Sequence, residues 1–259
     1  MKGRVAVVTG STSGIGLGVA ERLAAAGADL VINGFGDAAE IERARAALES
    51  EFGVRVRYSP ADMSKPEEVA GMIEFATGAL GKVDVLVNNA GIQFTAPVHE
   101  FPAEKWDAIM AINLSAVFHG IKAVIPQMYE RNWGRIINIA SVHGLVASTE
   151  KAAYVAAKHG IVGLTKVVAL ESARTGVTCN AICPGWVLTP LVEAQINKRA
   201  EEKGTTFDDE ARELVAEKQP SEKFVTPAQL GDLALFLCSP GGDQLRGQAI
   251  AMDGSWTAH

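Results

Sequence analysis

Three features are scarce or missing in this sequence of 259 residues: cysteine, an excess of positive charge, and long apolar runs. Three cysteines are too few for a disulfide framework. With 24 Lys and Arg against 30 Asp and Glu, the net charge of -6 disfavours nucleic-acid binding, which needs a basic face. No window offers the ~18 uninterrupted apolar residues of a membrane span, and residues 5–8 are shorter than the ~7–15-residue core of a signal peptide. We therefore expect a cytoplasmic protein without a membrane or nucleic-acid partner.

The spacing of Cys179 and Cys183 could indicate half of a metal site. No second pair and no nearby histidine accompanies them, and a structural metal site needs about four ligands. We interpret both cysteines as small residues of a buried strand, and we expect no bound metal.

Short β-branched runs alternate with helical segments along the chain. The predicted strands are Arg4–Thr9, Asp29–Asn33, Val54–Pro60, Val83–Asn88, Gly134–Ser141, Val177–Cys183 and Gln248–Met252. The predicted helices are Ile15–Ala26, Ala38–Glu51, Lys65–Leu80, Pro102–Glu130, Lys151–Ala173 and Thr226–Leu237. Several strands are almost continuously apolar, which is typical of strands buried on both faces of a parallel sheet. The alternation predicts an α/β fold with helices on both faces, and because no linker interrupts it we expect one domain over residues 1–259.

One segment breaks the alternation. From Trp186 to Phe224 there is no strand signal, and two charge-rich helical patterns occupy Ala194–Lys203 and Thr206–Lys218. An insertion after a strand is either surface decoration or a lid over the carboxyl edge of the sheet. We favour a helical lid over about residues 186–224.

A glycine cluster follows the first predicted strand and precedes a helix. Gly10, Gly14 and Gly16 permit a tight turn and a close approach of the backbone to a pyrophosphate at the helix amino terminus. The spacing is not that of a P-loop, because no Lys-Ser/Thr pair closes it. This position predicts a nucleotide site. Asp62, after the third strand, either accepts a hydrogen bond from an adenine amino group or only begins a helix.

Two further groups of residues suggest chemistry. Tyr154 and Lys158 are four apart on a predicted helix, so they share a face, and an adjacent ammonium lowers the pKa of a phenol. Ser141, at a strand end, could bind the same substrate oxygen or cap a turn. Asn113 lies in mid-helix, where asparagine is unfavourable. It either fills a kink or holds a water, and we favour the water.

These residues together carry a resemblance. In order along the chain, Thr9-Gly10-x3-Gly14-x-Gly16, Asn88-Asn89-Ala90-Gly91, Asn113, Ser141, Tyr154-x3-Lys158 and Pro184-Gly185 resemble the short-chain dehydrogenase/reductase family. The resemblance implies a single Rossmann-like, doubly wound domain with seven parallel strands, and hydride transfer between a carbinol carbon and nicotinamide. It implies that Tyr154 is the base, Ser141 polarises the substrate oxygen, Lys158 holds the nicotinamide ribose, and Asn113 anchors a water. The implied cofactor-binding residues are Gly10, Thr12, Gly14, Ile15, Gly16, Phe35, Asp62, Met63, Asn89, Ala90, Gly91, Tyr154, Lys158, Pro184, Gly185 and Val187.

The cofactor preference depends on a missing charge. A 2′-phosphate needs a cation in the glycine loop or just after the second strand. Residues 10–17 and 33–37 contain none, and the first basic residue beyond them is Arg43. NAD is therefore favoured over NADP, although no acidic residue ends the second strand. We expect Phe35 to pack beside the adenosine, and Asp37 to lie too far along the chain.

Four hydrogen-bond donors are expected to converge near the reactive centre. Lys151 lies three residues before Tyr154, and His143, Gln93 and Gln195 complete the set. Donors of this kind, one or two of them cationic, recognise a short carboxylate. Individually, Lys151 could be a solvated lysine, Gln195 an exposed lid residue, and His143 a strand-end histidine with its own partners.

Within the family, segments 33–36, 91–93, 113–119, 143–148, 183–187, 217–220 and 253–258 resemble the bacterial D-3-hydroxybutyrate dehydrogenases. This resemblance implies NAD-dependent interconversion of (R)-3-hydroxybutyrate and acetoacetate by a homotetramer. Gln93, His143, Lys151 and Gln195 would bind the carboxylate, and Trp186 and Trp256 would wall the methyl end. The chain departs from that pattern at Phe94, Val142, Ser255 and His259.

Two alternatives stay open. One is an NADP(H)-dependent reductase of a larger or thioester-linked 3-oxoacyl substrate. The other is a non-catalytic nucleotide-binding sensor, since a fold alone does not establish catalysis. A sensor is disfavoured because Ser141, Tyr154 and Lys158 are all present.

Overall fold

A seven-stranded sheet, parallel throughout, runs through the computed structural model, which describes residues 1–258. His259, one of the departures noted above, lies outside the described residues. The strands are β1 (Val5–Val8), β2 (Asp29–Asn33), β3 (Val56–Ser59), β4 (Val85–Asn88), β5 (Gly134–Ile139), β6 (Val177–Pro184) and β7 (Ala249–Met252). Their order is β3-β2-β1-β4-β5-β6-β7. The predicted doubly wound α/β fold is confirmed.

Helices connect the strands. They are α1 (Gly14–Ala25), α2 (Ala38–Phe52), α3 (Pro66–Leu80), α4 (Ala103–Met110), α5 (Ala116–Glu130), α6 (Ala152–Glu171), α7 (Pro190–Lys203), α8 (Phe207–Ala216) and α9 (Pro227–Cys238). At the start of α9, Thr226 and Gln229 form a reciprocal capping box. The start predicted for α7 was wrong by four residues: the Thr189 side chain accepts from Val192 N and Pro190 opens the helix, so α7 begins before Ala194.

Both faces of the sheet are covered by apolar packing because alternate strand residues point to opposite sides. In β4, Leu86 packs into the layer that contains Met72 of α3 and Ile121 of α5. Its neighbours Val85 and Val87 join the opposite layer, with Leu23 of α1 among others. This two-sided burial explains why the strand sequences are continuously apolar.

The predicted helix Pro102–Glu130 is a compound element. A π-helical turn over Ala111–Ser115 separates α4 from α5. Ile109 of α4 packs against Ala153 and Ala157 of α6. By length and hydropathy alone, the run Ala103–Glu130 and helix α6 could each cross a membrane. Both instead contribute to the packing of this fold, α5 against β4 and β5 and α6 against β6.

The segment from Trp186 to Phe224 begins and ends at the same place. Val187 and Val225 form a parallel bridge, and the Val225 amide donates to the Trp186 carbonyl at 2.9 Å. Helices α7 and α8, which pack on each other, lie between these two points. The segment is thus a helical excursion from the carboxyl end of β6, beside the crevice that forms where the strand order reverses between β1 and β4.

Candidate active site

The glycine loop lies between β1 and α1 and leaves no space for a side chain at Gly10. Gly10 has φ +61°, and a Cβ there would approach Ala90 Cα to 2.9 Å. Ser13, the residue before α1, makes no side-chain cap, and the first turn carries no acidic group. The amide groups of this helix end are therefore available to an anion, and the macrodipole favours negative charge there.

An elongated cavity extends from this loop across the ends of β1, β2 and β4. It collects most of the predicted dinucleotide-binding residues: Gly10, Thr12, Gly14, Ile15, Phe35, Asp62, Met63, Asn89, Ala90 and Gly91. Phe35 is 67% exposed, so its ring is available for stacking at the rim. Gly16 lies behind the loop, where a Cβ would come within 2.3 Å of the Gly10 carbonyl oxygen. None of the described residues that line this cavity is Lys or Arg.

Two aspartates near this cavity have structural roles. Asp37 caps α2 by accepting from the amides of Ala39 and Glu40, so its carboxylate is already engaged. Asp62 lines the cavity, and its Oδ1 accepts from the amide and the hydroxyl of Ser64 at 2.8 Å each. These two bonds lower the pKa of Asp62. Asp62 thus caps a turn before α3, whose first flanking residue is Lys65, and does not itself begin the helix.

The Asn88–Gly91 turn is bonded to the glycine loop. The Asn89 amide donates to the carbonyls of Thr9 and Gly10, at 2.9 Å each. In return, the Thr9 hydroxyl accepts from the backbone amides of Asn89 and Ala90. The two loops that border the cavity are thus held as one unit.

Ser141, Tyr154 and Lys158 line a second cavity, which adjoins the first at Ile15, Asn89, Gly91, Ile92 and Thr189. The Lys158 ammonium donates to the Ile139 carbonyl at 2.8 Å and lies 5.5 Å from the centre of the Tyr154 ring. Burial lowers the pKa of Lys158 to about 8. The structure brings three of the four predicted catalytic side chains together, at the carboxyl end of β5 and the amino end of α6.

The predicted direction of the Tyr154 pKa was wrong for the protein alone. Burial raises the pKa of Tyr154 above 10, and contact with Ser141 opposes this rise only in part. Desolvation dominates because the phenol is removed from water, which disfavours its charged form.

His143 lies deep in the same cavity wall. Its ring meets the rings of Tyr154 and Trp256 edge-on, at centroid distances of 6.0 and 5.5 Å. Burial, with smaller contributions from the charges of Lys151, His159 and Lys218, lowers the pKa of His143 to about 4. The imidazole is therefore neutral at neutral pH.

The outer part of the cavity combines one cation with two indoles. Lys151 is the residue just before α6, and its ammonium lies 5.6 Å from the centre of the Trp186 ring. Burial lowers the pKa of Lys151. Trp186 and Trp256 lie 6.3 Å apart, and Gln93 completes this wall. Among the described residues that line the cavity, none is Asp or Glu.

A family model described as short chain dehydrogenase matches residues 4–200. The chain belongs to the short-chain dehydrogenase family. It is accordingly an oxidoreductase, and the Rossmann-like fold with its glycine loop is that of a nicotinamide dinucleotide enzyme.

Its similarity to known members extends over the full length. The chain is 57% identical over 260 residues to "D-beta-hydroxybutyrate dehydrogenase" of Cupriavidus necator, covering 100% of this chain and 99% of that protein. It is 52% identical to a protein of the same name from Rhizobium meliloti, covering 98% and 99%. Among solved structures, L-sorbose reductase of Gluconobacter frateurii with NADPH and L-sorbose matches with a TM-score of 0.94 at 30% identity, over 98% and 96% of the two chains.

Asn113 of this short-chain dehydrogenase occupies the π-helical turn, so the kink that the sequence left open is present. The side-chain amide is already engaged, since it donates to the Ile92 carbonyl and its oxygen accepts from the Ile92 amide, at 2.9 Å each. These bonds use one of the two N–H groups and one of the two oxygen lone pairs of the amide. The backbone of the π turn, which departs from regular helical pairing, offers further sites for a water.

The residues predicted after β6 lie at the catalytic cavity, but the residue predicted in the lid does not. Pro184, Gly185 and Val187 line the catalytic cavity together with Trp186. Gln195 does not line it: the residue lies on α7 and is exposed. Its recruitment to a substrate would require α7 to approach the cavity.

Sequence reasoning missed three residues at the site. Thr189 lines both cavities, and its position before Pro190 repeats the Thr226-Pro227 signal. Gln219 is fully buried and accepts from the Trp186 amide at 2.9 Å. Ser148 bonds to the His143 ring. Spacing in the sequence could not reveal Gln219 or Ser148. Gln219 bonds to Trp186, which is distant in the sequence, and Ser148 bonds to His143 across a turn.

Proposed function

We propose that this short-chain dehydrogenase interconverts (R)-3-hydroxybutyrate and acetoacetate, with NAD as cofactor. The observation that carries the proposal is the ammonium of Lys151, half-buried at a cavity whose described lining residues include no carboxylate, beside Ser141 and Tyr154. A partly desolvated cation of this kind favours an anionic substrate. The names of the relatives from Cupriavidus necator and Rhizobium meliloti support the same substrate.

The size of the cavity supports a short substrate. It measures about 220 Å³ and has to take both the reactive end of the cofactor and the substrate. Trp186 and Trp256 close its outer side. A carboxylate held by Lys151 and Gln93 would direct the methyl end of a four-carbon acid to these indoles. Gln195 would join the carboxylate if α7 and α8 close as a lid.

NAD fits the first cavity better than NADP. The glycine loop and the uncapped end of α1 provide the space and the amide donors for a pyrophosphate. The absence of Lys and Arg among the described lining residues leaves a 2′-phosphate without a partner. Phe35 would pack beside the adenosine. When bound, the nicotinamide would accept or return a hydride at the carbinol carbon.

The residues of the catalytic cavity would transfer the hydroxyl proton of the substrate. Tyr154 removes the hydroxyl proton of the substrate during oxidation and returns it during reduction. Ser141 donates a hydrogen bond to the same oxygen. Lys158 holds the ribose and contributes positive charge beside the phenol, and the π turn at Asn113 would hold the water that passes the proton onward.

We further propose a homotetramer in the cytoplasm. Large apolar side chains are exposed on α5, α6 and α9, namely Phe118, Val167, Leu170 and Phe236. Exposed apolar patches of this kind mark contacts between proteins. The three cysteines, all buried and free, suit a reducing compartment. Light scattering after size exclusion would measure the mass of the assembly.

A substrate and cofactor panel tests the proposal. Free 3-hydroxy acids of increasing length and 3-oxoacyl thioesters are each assayed with NAD(H) and NADP(H) by the absorbance of the reduced nicotinamide. We expect turnover of (R)-3-hydroxybutyrate with NAD. Preference for thioesters with NADPH would instead support a 3-oxoacyl reductase, and dinucleotide binding without turnover would support a sensor.

The mechanism has its own control. Tyr154→Phe removes the proton-accepting oxygen and is expected to lower kcat by at least about a hundredfold. NAD affinity, measured by titration calorimetry, should stay within twofold. Turnover that survives this substitution would contradict the role of Tyr154.

A further inference from the structure

Gln219 is fully buried where the helical excursion returns to the sheet. Its Oε1 accepts from the Trp186 backbone amide at 2.9 Å, and its Nε2 donates to the Lys223 carbonyl. A glutamine amide has one oxygen and one NH₂ group, so both ends of this side chain are bonded. The side chain therefore joins the residue that begins the excursion to the segment that ends it.

The same side chain touches both backbone segments that carry the indoles of the catalytic cavity. Gly185 precedes Trp186, and a Cβ at Gly185 would overlap Gln219 Oε1. Gly254 lies two residues before Trp256, and a Cβ there would come within 2.6 Å of Gln219 Cγ. Gln219 thus acts as a spacer between the segments that place the two indoles 6.3 Å apart.

The Trp186 indole has no hydrogen bond of its own to fix its position. Its Nε1 is buried and lacks a partner among the described residues. The backbone of Trp186 is bonded instead: its amide donates to Gln219, and its carbonyl accepts from the Val225 amide at 2.9 Å. The ring itself is in contact with Trp256 and Lys151, without a directional bond to either. The placement of this indole therefore depends on its backbone anchors, and Gln219 is an anchor that a side-chain substitution can remove.

We propose that Gln219 is a positioning residue that sets the chain length of the substrate, because it holds Trp186 at a fixed distance from Trp256. The proposal rests on the proposed oxidation of a 3-hydroxy acid whose methyl end meets the two indoles. Gln219 is not among the described residues that line the cavity. It acts on the substrate only through the indole wall.

A wall of fixed position discriminates against an additional methylene. In a well-defined apolar pocket, one methylene changes kcat/KM by roughly tenfold to two hundredfold. A wall that relaxes loses part of this discrimination, because it moves to make room for the longer chain. The ratio of kcat/KM for (R)-3-hydroxypentanoate to that for (R)-3-hydroxybutyrate therefore measures how firmly the wall is held.

Three substitutions separate the hydrogen bond from the space that the side chain fills. Gln219→Ala removes both, Gln219→Met keeps the length without the acceptor, and Gln219→Glu keeps an acceptor for the Trp186 amide. Burial favours the neutral form of that carboxyl group, which also donates to the Lys223 carbonyl. We expect the ratio to rise about tenfold in Gln219→Ala and about threefold in Gln219→Met, and to stay within about twofold in Gln219→Glu.

Gln127→Ala is the matched control for a general loss of stability. Gln127 makes the same kind of bridge, since its Oε1 accepts from the Val83 amide at 3.0 Å and its Nε2 donates to the Thr77 hydroxyl at 3.1 Å. Val83 precedes β4, at the edge of the sheet opposite to the cavity. We expect Gln127→Ala to lower Tm, as Gln219→Ala does, and to leave the ratio unchanged.

Other kinetic outcomes overturn the proposal. If the ratio does not rise in Gln219→Ala, or in Gln219→Met where the alanine variant does not fold, Gln219 has a structural role alone. The same conclusion follows if the ratio rises equally in Gln127→Ala. A rise in Gln219→Glu as large as that in Gln219→Met would show that the bond to the Trp186 amide does not hold the wall.

A spectroscopic readout does not depend on the identity of the substrate. The chain has four tryptophans, which fluorine NMR of protein labelled with fluorotryptophan reports separately. Trp186→Phe and Trp256→Phe identify the two signals of the cavity wall. We expect Gln219→Met to shift or broaden these two signals and to leave those of Trp106 and Trp133 in place. Unmoved signals of Trp186 and Trp256 would refute the inference, even if 3-hydroxybutyrate is turned over. Failure of the substrate panel alone would refute only the proposed function.

Discussion

Gly16 offers a sharp test of the packing at the dinucleotide loop. A Cβ at this position would lie 2.3 Å from the Gly10 carbonyl oxygen and 2.5 Å from Asn89 Nδ2. That Asn89 amide holds the two loops together through the carbonyls of Thr9 and Gly10. Gly16→Ala therefore forces apart two backbone segments that form the edge of the cavity.

The magnitude follows from two opposing effects. Alanine favours a helix over glycine by about 1 kcal/mol, while overpacking against fixed neighbours costs about 1–3 kcal/mol. We expect a net loss of up to about 2 kcal/mol in the free energy of unfolding, and NAD affinity lower by at least about tenfold. Gly71→Ala, in the middle of α3, is the matched control, because nothing lies within 4 Å of its Cβ. It should gain about 1 kcal/mol.

Thermal melting with and without NAD, together with NAD titration by calorimetry, measures both effects. In a chain of this size, 1 kcal/mol shifts Tm by roughly 2–4 °C. We expect Gly16→Ala to melt lower and bind NAD more weakly, and Gly71→Ala to melt higher with unchanged affinity. If Gly16→Ala melts as high as Gly71→Ala and binds NAD normally, the loop has room for a methyl group and the reasoning is refuted.

Three other predictions concern the catalytic cavity and its rim. Lys151→Gln should raise KM for 3-hydroxybutyrate about ten- to a hundredfold in steady-state assays, with partial recovery in Lys151→Arg; an unchanged KM would contradict carboxylate binding. Because the folded protein holds the pKa of His143 at about 4 against an ordinary 6.5, the unfolded chain binds this proton first, and stability falls by about 3 kcal/mol between pH 6.5 and 4. The free energy of unfolding, measured in urea across this pH range, should lose this dependence in His143→Gln. It should keep the dependence in the exposed control His99→Gln. Ser255 has φ +75°, so Ser255→Gly should raise Tm through a gain of about 1 kcal/mol, and a lower Tm would show that its side chain makes a compensating contact.

The sheet was predictable from the sequence because its central strands β1, β4, β5 and β6 are buried on both sides. Asp29–Asn33 was predicted with the bounds it has in the structure, since Gly27 and Gly34 interrupt the pattern on either side. The lid helices were harder. Their apolar residues are few and their charged residues many, so periodicity placed the start of α7 at Ala194, although Thr189-Pro190 carried the correct signal.

The site was predictable where chemistry follows local spacing, as for Tyr154 and Lys158. It was not predictable where the decisive interaction links distant segments. The sequence did not indicate that the Asn113 amide would be occupied by Ile92, or that Gln219 would bind the Trp186 amide. The direction of the Tyr154 pKa was missed for a related reason, because burial is a property of the assembled fold.

The π turn at Ala111–Ser115 gives one continuous helical rod two different docking directions. The extra residue of a π turn rotates the buried face of the helix that follows it by roughly a quarter turn. The first half therefore fits α6 through Ile109, while the second half fits the sheet through Val117 and Ile121. Deleting a single residue from this turn would straighten the rod and turn one of the two stripes away from its partner. The same deletion would move the Asn113 amide away from Ile92. The position of the loop beside the dinucleotide cavity therefore depends on the same turn that sets the rotation of α5 relative to α4.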